Sequence, residues 1–235
     1  MIAAIVPAHN EAQHIGACLD SLMQASQCQR LAGEAVLCVV VLDACTDHTA
    51  AVVQQHRAAV VSVTARNVGI ARAAGAQFAL DLGARWLAFT DADSVVASDW
   101  LAAQLELGCD AVCGTVQVGH WGGYGERMRR HYESSYTDAD GHRHVHGANL
   151  GVSAQAYRRA GGFKALASSE DVALVEALRA SGARIVWSAR PRVETSARQT
   201  YRAPLGFGAT LQCIDQEARQ AERLAAQLTE RRARP

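Results

Sequence analysis

Residues 86–93 read Trp86-Leu87-Ala88-Phe89-Thr90-Asp91-Ala92-Asp93, an apolar run followed at once by two carboxylates. A short run that is apolar at every position suits a strand covered on both faces, as in a parallel sheet. The carboxylates then emerge at its carboxyl end. Side chains at i and i+2 point the same way while the backbone stays extended. Such a pair suits a hard cation, and Mg²⁺ or Mn²⁺ commonly bridges protein carboxylates to substrate phosphates. The competing reading is a capping turn, with Asp93 or Ser94 starting a helix.

Working outward, 2–6 is an apolar run stopped by Pro7, and Ile15, Leu19 and Leu22 then recur on one helical face. The run 36–42 ends at Asp43, and Thr46 or Asp47 is placed to cap a following helix. A third strand is expected at 60–63, an Ala-rich helix at 67–82 stopped by Gly83, and the fourth strand at 85–90. Strands alternating with helices predict an α/β fold, with a central, mostly parallel sheet flanked by helices in a Rossmann-like arrangement. Ligands in such folds gather beyond the carboxyl ends of the strands. That rule collects His9, Asn10 and Glu11, then Asp43, then Asp91 and Asp93 on one rim. No Gly-rich fingerprint opens the first helix, which argues against an ordinary dinucleotide-binding domain.

Further on, the pattern predicts a helix at 98–107, a strand at 111–118, a helical stretch at 126–133 and a polar segment at 134–147 with a turn at Asp140-Gly141. A helix over 170–180, a strand at 184–187 and a long helix at 205–228 follow. The whole of 1–235 reads as one domain: a nucleotide-binding half, 1–118, an acceptor-side half, 119–204, and a C-terminal helix, 205–235. Within it, 119–147 reads as a substrate-shaped insertion.

The chain has 235 residues, 49% of them apolar, enough for a substantial core. Lys plus Arg and Asp plus Glu each number 23, so no net charge draws the protein to nucleic acid. A basic excess at Arg219, Arg223, Arg231, Arg232 and Arg234 reads equally as a surface contact or a solvated helix end. Seven cysteines without CxxC spacing suit a reducing cytoplasm, with Cys38 a small buried hydrophobe. No segment has the roughly 18–20 apolar residues of a membrane span, so any membrane contact would be peripheral.

Each candidate residue carries two readings. Asp43 can accept from a nucleobase or ribose, or cap a helix. Asp47 is the better cap. His9 and Glu11 can line a nucleoside, while Glu11 also suits the positive end of a helix. Arg66 follows the third strand and can grip a phosphate bidentately, beside Asn67, a plausible N-cap. Arg72, one turn further on, is expected to form a surface salt bridge. Glu170 and Asp171 open a helix, where acidic residues need no functional reason, yet either carboxylate can serve as a general base. His142, His144 and His146 alternate and share one face of an extended segment, as a metal tract or a polar loop. Trp121 and Tyr124 lie among glycines and can stack on a sugar or pack locally.

Taken together, Ile5-Val6-Pro7-Ala8-His9-Asn10-Glu11, the segment 39–49, Ala65-Arg66-Asn67-Val68-Gly69 and Phe89-Thr90-Asp91-Ala92-Asp93 form an ordered set. It continues through Gly147-Ala148-Asn149-Leu150-Gly151, Gly161-Gly162-Phe163 and Ser169-Glu170-Asp171. The set resembles the GT-A type glycosyltransferases of family 2, over residues 2 to about 200. The resemblance implies transfer of a sugar from a nucleoside-diphosphate sugar, UDP by default, to an acceptor hydroxyl. It implies that Pro7, His9, Glu11 and Asp43 line the nucleotide pocket, with Arg66, Asn67 and Asp91 beside them. Asp91 and Asp93 would be the DxD that holds Mn²⁺ or Mg²⁺, Asp93 the firmer ligand. Asp171 would be the base, Glu170 its acidic neighbour, and Arg198 a late basic residue near the diphosphate. Trp121, His146 and Asn149 would lie on the sugar and acceptor side. Ala44-Cys45 departs from the family's usual polar pair, and no QxxRW-like motif follows, which argues against a processive synthase.

Two rivals carry different signatures. A sugar-nucleotide-forming nucleotidyltransferase wants a Gly-rich basic loop after the first strand, where this chain has Pro7-Ala8-His9-Asn10. A non-catalytic binding or assembly protein of the same fold would bind nucleotide without needing a cation. The acceptor and the oligomeric state are not written in the sequence.

Overall fold

The computed structural model describes residues 1–121 and 126–196. The expected helix at 205–228, the basic C-terminal residues, Arg198 and Tyr124 lie outside them. The chain divides into two compact units. The first comprises 1–117 and 138–195, the second 118–137 and 196–235.

The first unit is built on β1 (Ile2–Ala8), β2 (Val36–Asp43), β3 (Ala59–Val63) and β4 (Trp86–Phe89), all paired in parallel in the order β3-β2-β1-β4. Between them run α1 (Ile15–Ser26), α2 (Thr49–Gln54) and α3 (Val68–Asp81). Beyond β4 the sheet continues with β7 (Leu150–Ser153), β6 (Ala111–His120), β8 (Ile185–Ser196) and β5 (Ser94–Val96). β7 is antiparallel to both β4 and β6, and β5 is antiparallel to β8. The remaining helices are α4 (Trp100–Glu106), α5 (Glu126–Ser135), α6 (Ala154–Ala160) and α7 (Glu170–Ala180). The α/β architecture, with a central sheet flanked by helices, is therefore as the alternating pattern predicts.

Strand periodicity sorts the core into two layers. Ala3, Ile5, Leu87 and Phe89 pack with Ala71, Ala76, Ala79, Leu174 and Leu178 of α3 and α7. Ile2, Ala4, Val6, Trp86 and Ala88 pack with Ile15, Leu19, Leu22, Trp100 and Leu101 of α1 and α4. Cys38 joins this second layer. Helix α3 lies very close to the sheet: a methyl on Gly75 would stand 2.6 Å from Ile5 and 2.8 Å from Val41. The small residues of the Ala-rich segment thus set the layer spacing.

Three expectations need correction. No helix starts at Asp93 or Ser94; Ser94 opens β5, and the next helix has Asp99 at its N-cap position. The strand expected at 184–187 runs to Ser196 because it pairs with β5 at its far end. The segment 150–153, not read as a strand, is β7, the piece that joins the parallel and antiparallel halves. It is short and contains Gly151, so its pattern is weak, but tertiary pairing fixes it.

In the second unit, Trp121 meets Tyr132 edge-on at 5.4 Å between centroids. Met128, Val118 and Tyr136 complete this small cluster. Trp121 therefore takes part in local packing.

Candidate functional site

The rim formed by the ends of β1, β2 and β3 is laced by side chains that bond neighbouring loop backbones. Asp43, 4% exposed, accepts from the N–H groups of Ala65 (2.7 Å), Arg66 (2.8 Å) and Asn67 (2.8 Å). A carboxylate offers about four acceptor positions, so about one is left for a ligand. Asn10 Oδ1 accepts from the N–H groups of Thr46 (2.7 Å) and Asp47 (3.2 Å). Asp47 accepts from the N–H of Thr49 at 2.9 Å and from Ala12 N–H at 3.1 Å, but the N-cap position of α2 expected for it falls to His48. His9 Nδ1 lies 2.6 Å from the Asp43 carbonyl, which fixes that ring over the β2 end. Glu11 is buried, its N–H donating to Thr49 Oγ1 at 2.7 Å and its carboxylate 3.2 Å from His14. Pro7 sits half-buried opposite Val41. Asn67 caps α3 by accepting from Ile70 N–H at 2.9 Å, and its amide donates to Leu166 O at 2.8 Å. The Arg66 side chain is exposed on this loop.

Three non-glycine residues of this rim, Asn10, Ala44 and Arg66, adopt left-handed backbone, and Ser169 does so just before α7. Each costs of order 1 kcal/mol or more, and such strain gathers at ligand sites.

The end of β4 is organised by a buried cation. Arg72 is 3% exposed, and its two terminal nitrogens bind different carboxylates. Nη2 donates to Asp91 Oδ1 at 2.5 Å, and Nη1 donates to Glu170. The guanidinium also lies 5.7 Å from the Phe163 ring centroid, within cation–π range. Arg72 thus forms the salt bridge expected of it, but inside the protein and not at the surface. In a helix whose other buried residues are almost all Ala and Gly, only the long Arg72 reaches from α3 to the strand end. Burial works against its charge, but Asp91, Glu170 and Asp171 around it hold the guanidinium fully protonated. Burial pushes the Glu170 carboxyl up, with Arg72 opposing. Glu170, 5% exposed, is the buried partner of Arg72.

Asp171, next to it, is half-buried and oriented by two backbone donors. Oδ2 accepts from Gly147 N–H at 2.7 Å and Oδ1 from Val172 N–H at 2.8 Å. The Gly147 segment is in turn anchored by Asn149, which is fully buried. Its amide donates to Thr115 O (2.7 Å) and Pro191 O (2.9 Å), and its carbonyl accepts from Trp100 Nε1 (2.9 Å). Asn149 thus has its polar atoms engaged inside the protein. Sequence reasoning missed Arg72 as a member of this cluster.

His142, His144 and His146 form a row of stacked rings, with centroids 5.3 and 5.8 Å apart and planes 20° and 24° from parallel. Burial foremost, then repulsion from His144 and His142, pushes the His146 imidazole down to about 4, with Asp91 opposing. His146 is thus neutral near pH 7 and lies within the field of Asp91. Stacking favours packing over chelation for this trio. Among the described residues no three His, Cys, Asp or Glu side chains are gathered to hold a metal ion. Asp91 and Asp93 are both half-buried at the β4 end, and Asp91 already accepts from Arg72. That donor set does not fit an all-protein metal cage. It fits a Mg²⁺ or Mn²⁺ shared with substrate phosphates and water, which needs only one or two carboxylates.

Among the described residues no helix is long and apolar enough to cross a membrane, and the six cysteines there are free thiols.

Among curated protein sequences none matches the chain significantly. Many solved structures share its fold. S. aureus TarS 1-349 in complex with UDP-GlcNAc is 17% identical with a TM-score of 0.64, over 88% of this chain and 61% of that one. The mannosyltransferase PcManGT from Pyrobaculum calidifontis, in complex with GDP-Man and Mn²⁺, is 20% identical with a TM-score of 0.62, over 84% and 57%. The chain spans about three fifths of the length of these two solved structures. The Glycosyl transferase family 2 model matches residues 3–162. With the GT-A architecture in place and most of its length matched, the chain belongs to glycosyl transferase family 2.

Proposed function

We propose that the chain transfers a sugar from a nucleoside-diphosphate sugar to an acceptor hydroxyl, with inversion at the anomeric carbon and Asp171 as general base. The observation that carries this reading is the Arg72 guanidinium. It ties Asp91, on the DxD strand end, to Glu170, the immediate neighbour of Asp171. Donor-side and acceptor-side carboxylates are thereby held in one rigid cluster.

In this mechanism Asp171 Oδ accepts the proton of the acceptor hydroxyl as that oxygen attacks the anomeric carbon and the bond to the diphosphate breaks. The Gly147 and Val172 N–H groups keep the carboxylate aimed. A divalent cation at Asp93 and Asp91, shared with the diphosphate, would supply charge neutralisation for the leaving group. Arg66 is available on the donor rim for the same charge. His9, Glu11, Pro7 and the remaining acceptor position of Asp43 would hold the nucleoside, and Asn67 supports that wall. Holding two substrates in one cleft supplies much of the remaining rate. TarS is solved with UDP-GlcNAc and PcManGT with GDP-Man, so the fold by itself does not choose the base. UDP is retained as the default. The six free thiols favour a reducing, cytoplasmic setting.

A sugar-nucleotide panel with Mn²⁺ or Mg²⁺ tests the proposal. Release of nucleoside diphosphate supports it. Release of pyrophosphate, or nucleotide binding indifferent to cation and without turnover, overturns it.

A further inference from the structure

Gly147 is the second residue of a tight turn, closed by the Asn149 N–H donating to His146 O at 3.0 Å. The Asn149 side chain pins that turn to β6, β8 and Trp100. Its backbone φ lies outside the left-handed region, so conformation alone does not demand glycine here. Space does. A methyl on Gly147 would stand 2.4 Å from Arg72 Cζ, 2.4 Å from Nη2 and 2.5 Å from Nη1. The end of a long side chain usually yields to such a contact. This one is fixed at both terminal nitrogens, by Asp91 and by Glu170. Displacing it would leave a 5% exposed Glu170 carboxylate without its counter-charge. If the turn moved instead, the Gly147 N–H would leave Asp171 Oδ2, now 2.7 Å away. A side chain at 147 therefore disturbs one of the two arrangements whichever way the strain is relieved.

We propose that Gly147 is a positioning residue that couples the donor and acceptor sides: its N–H orients Asp171, and its missing side chain makes room for the Arg72 guanidinium that joins Asp91 to Glu170. The catalytic meaning of this coupling rests on the reading of Asp171 as base; the geometry does not. The turn is the short link through which the DxD strand end and the base share one rigid frame. Asn149 belongs to the same device as the anchor that keeps the turn from drifting.

Amide hydrogen exchange on the full chain tests the geometry without any substrate. Asp171→Ala is expected to accelerate exchange at the Gly147 amide at least tenfold while β2 amides stay protected. Gly147→Ala is expected to do the same at position 147, and adding Arg72→Lys, which lacks the planar terminal pair, is expected to restore most of the protection. Unchanged exchange at 147 in Asp171→Ala overturns the proposal, as does a Gly147→Ala chain that keeps both wild-type protection at 147 and wild-type stability to denaturant, since displacing Arg72 instead of the turn would cost stability. Asp171→Ala alone decides the matter if Gly147→Ala fails to fold. A second measurement uses hydrolysis of UDP-GlcNAc and GDP-mannose with Mn²⁺, water serving as acceptor. Gly147→Ala should lower kcat at least tenfold with nucleoside-diphosphate affinity within threefold of wild type. Equal loss of affinity and turnover would contradict the positioning role. A wild type that hydrolyses neither donor counts against the proposed function, while the exchange result still decides the geometry.

Discussion

The two rims of the first unit use acidic residues in opposite ways. Around the ends of β1 to β3, Asp43 and Asp47 accept from loop N–H groups, and the loops hold one another through neutral donors. Around the end of β4 and the start of α7, Asp91 and Glu170 face a buried guanidinium instead. The first rim is a backbone scaffold with a little acceptor capacity left over. The second is a charged cluster in which removing one member leaves another unpaired inside the protein. The contrast teaches that a carboxylate at a strand end has a local builder's role or a charge-holding role, and that its partners, not its position, decide which.

The sharpest way to break this contrast is at Asp171. Asp171→Asn keeps an acceptor for the Gly147 N–H but cannot take a proton, so turnover should fall roughly 10²–10⁴-fold while nucleotide binding survives. Kinetics beside nucleotide titration would show it, and wild-type turnover would remove Asp171 from the role of base. Next in size, Arg72→Met should destabilise the fold by about 3–5 kcal/mol, read by denaturant unfolding, because Glu170 loses its buried partner. A loss under about 1 kcal/mol would mean the charged cluster is no more than surface pairing. Asp43→Ala should cost less, about 1–3 kcal/mol, since backbone donors can turn partly to water.

The most gradual effect is a pH dependence. The folded-state pKa of His146 lies near 4, below the usual 6.5, so the unfolded chain binds the extra proton first. Its contribution to stability is fully present above about 6.5 and is lost as pH falls toward 4, at up to about 1.4 kcal/mol per pH unit. Replacing His146 with Asn should flatten that slope in unfolding curves taken from pH 7 to 4.

The fold was largely legible. Strand runs 2–6, 36–42 and 86–89 announce themselves by unbroken apolar residues, and Asp43 and Asp91 mark their ends. Asp171 was legible as an acidic helix start. Arg72 was not, because the N-terminal part of α3 is so rich in Ala and Gly that no large apolar residue there defines its buried face. Nor was the commitment of Asp43 to three N–H groups, since residues 65–67 approach it only through the parallel pairing of β2 with β3. Asn149 read as a polar residue in a Gly-rich turn; its three internal bonds depend on Thr115, Pro191 and Trp100, each distant in sequence.

The central claim is that Asp91 and Asp93 grip a diphosphate through a shared cation. Calorimetric titration of UDP and GDP, with and without Mn²⁺, tests it most directly in the wild type and in Asp93→Ala. Mn²⁺ should bind weakly alone, should strengthen nucleoside-diphosphate binding at least tenfold, and should lose that effect in Asp93→Ala. Equal affinity with and without Mn²⁺, or full enhancement in Asp93→Ala, would contradict the account.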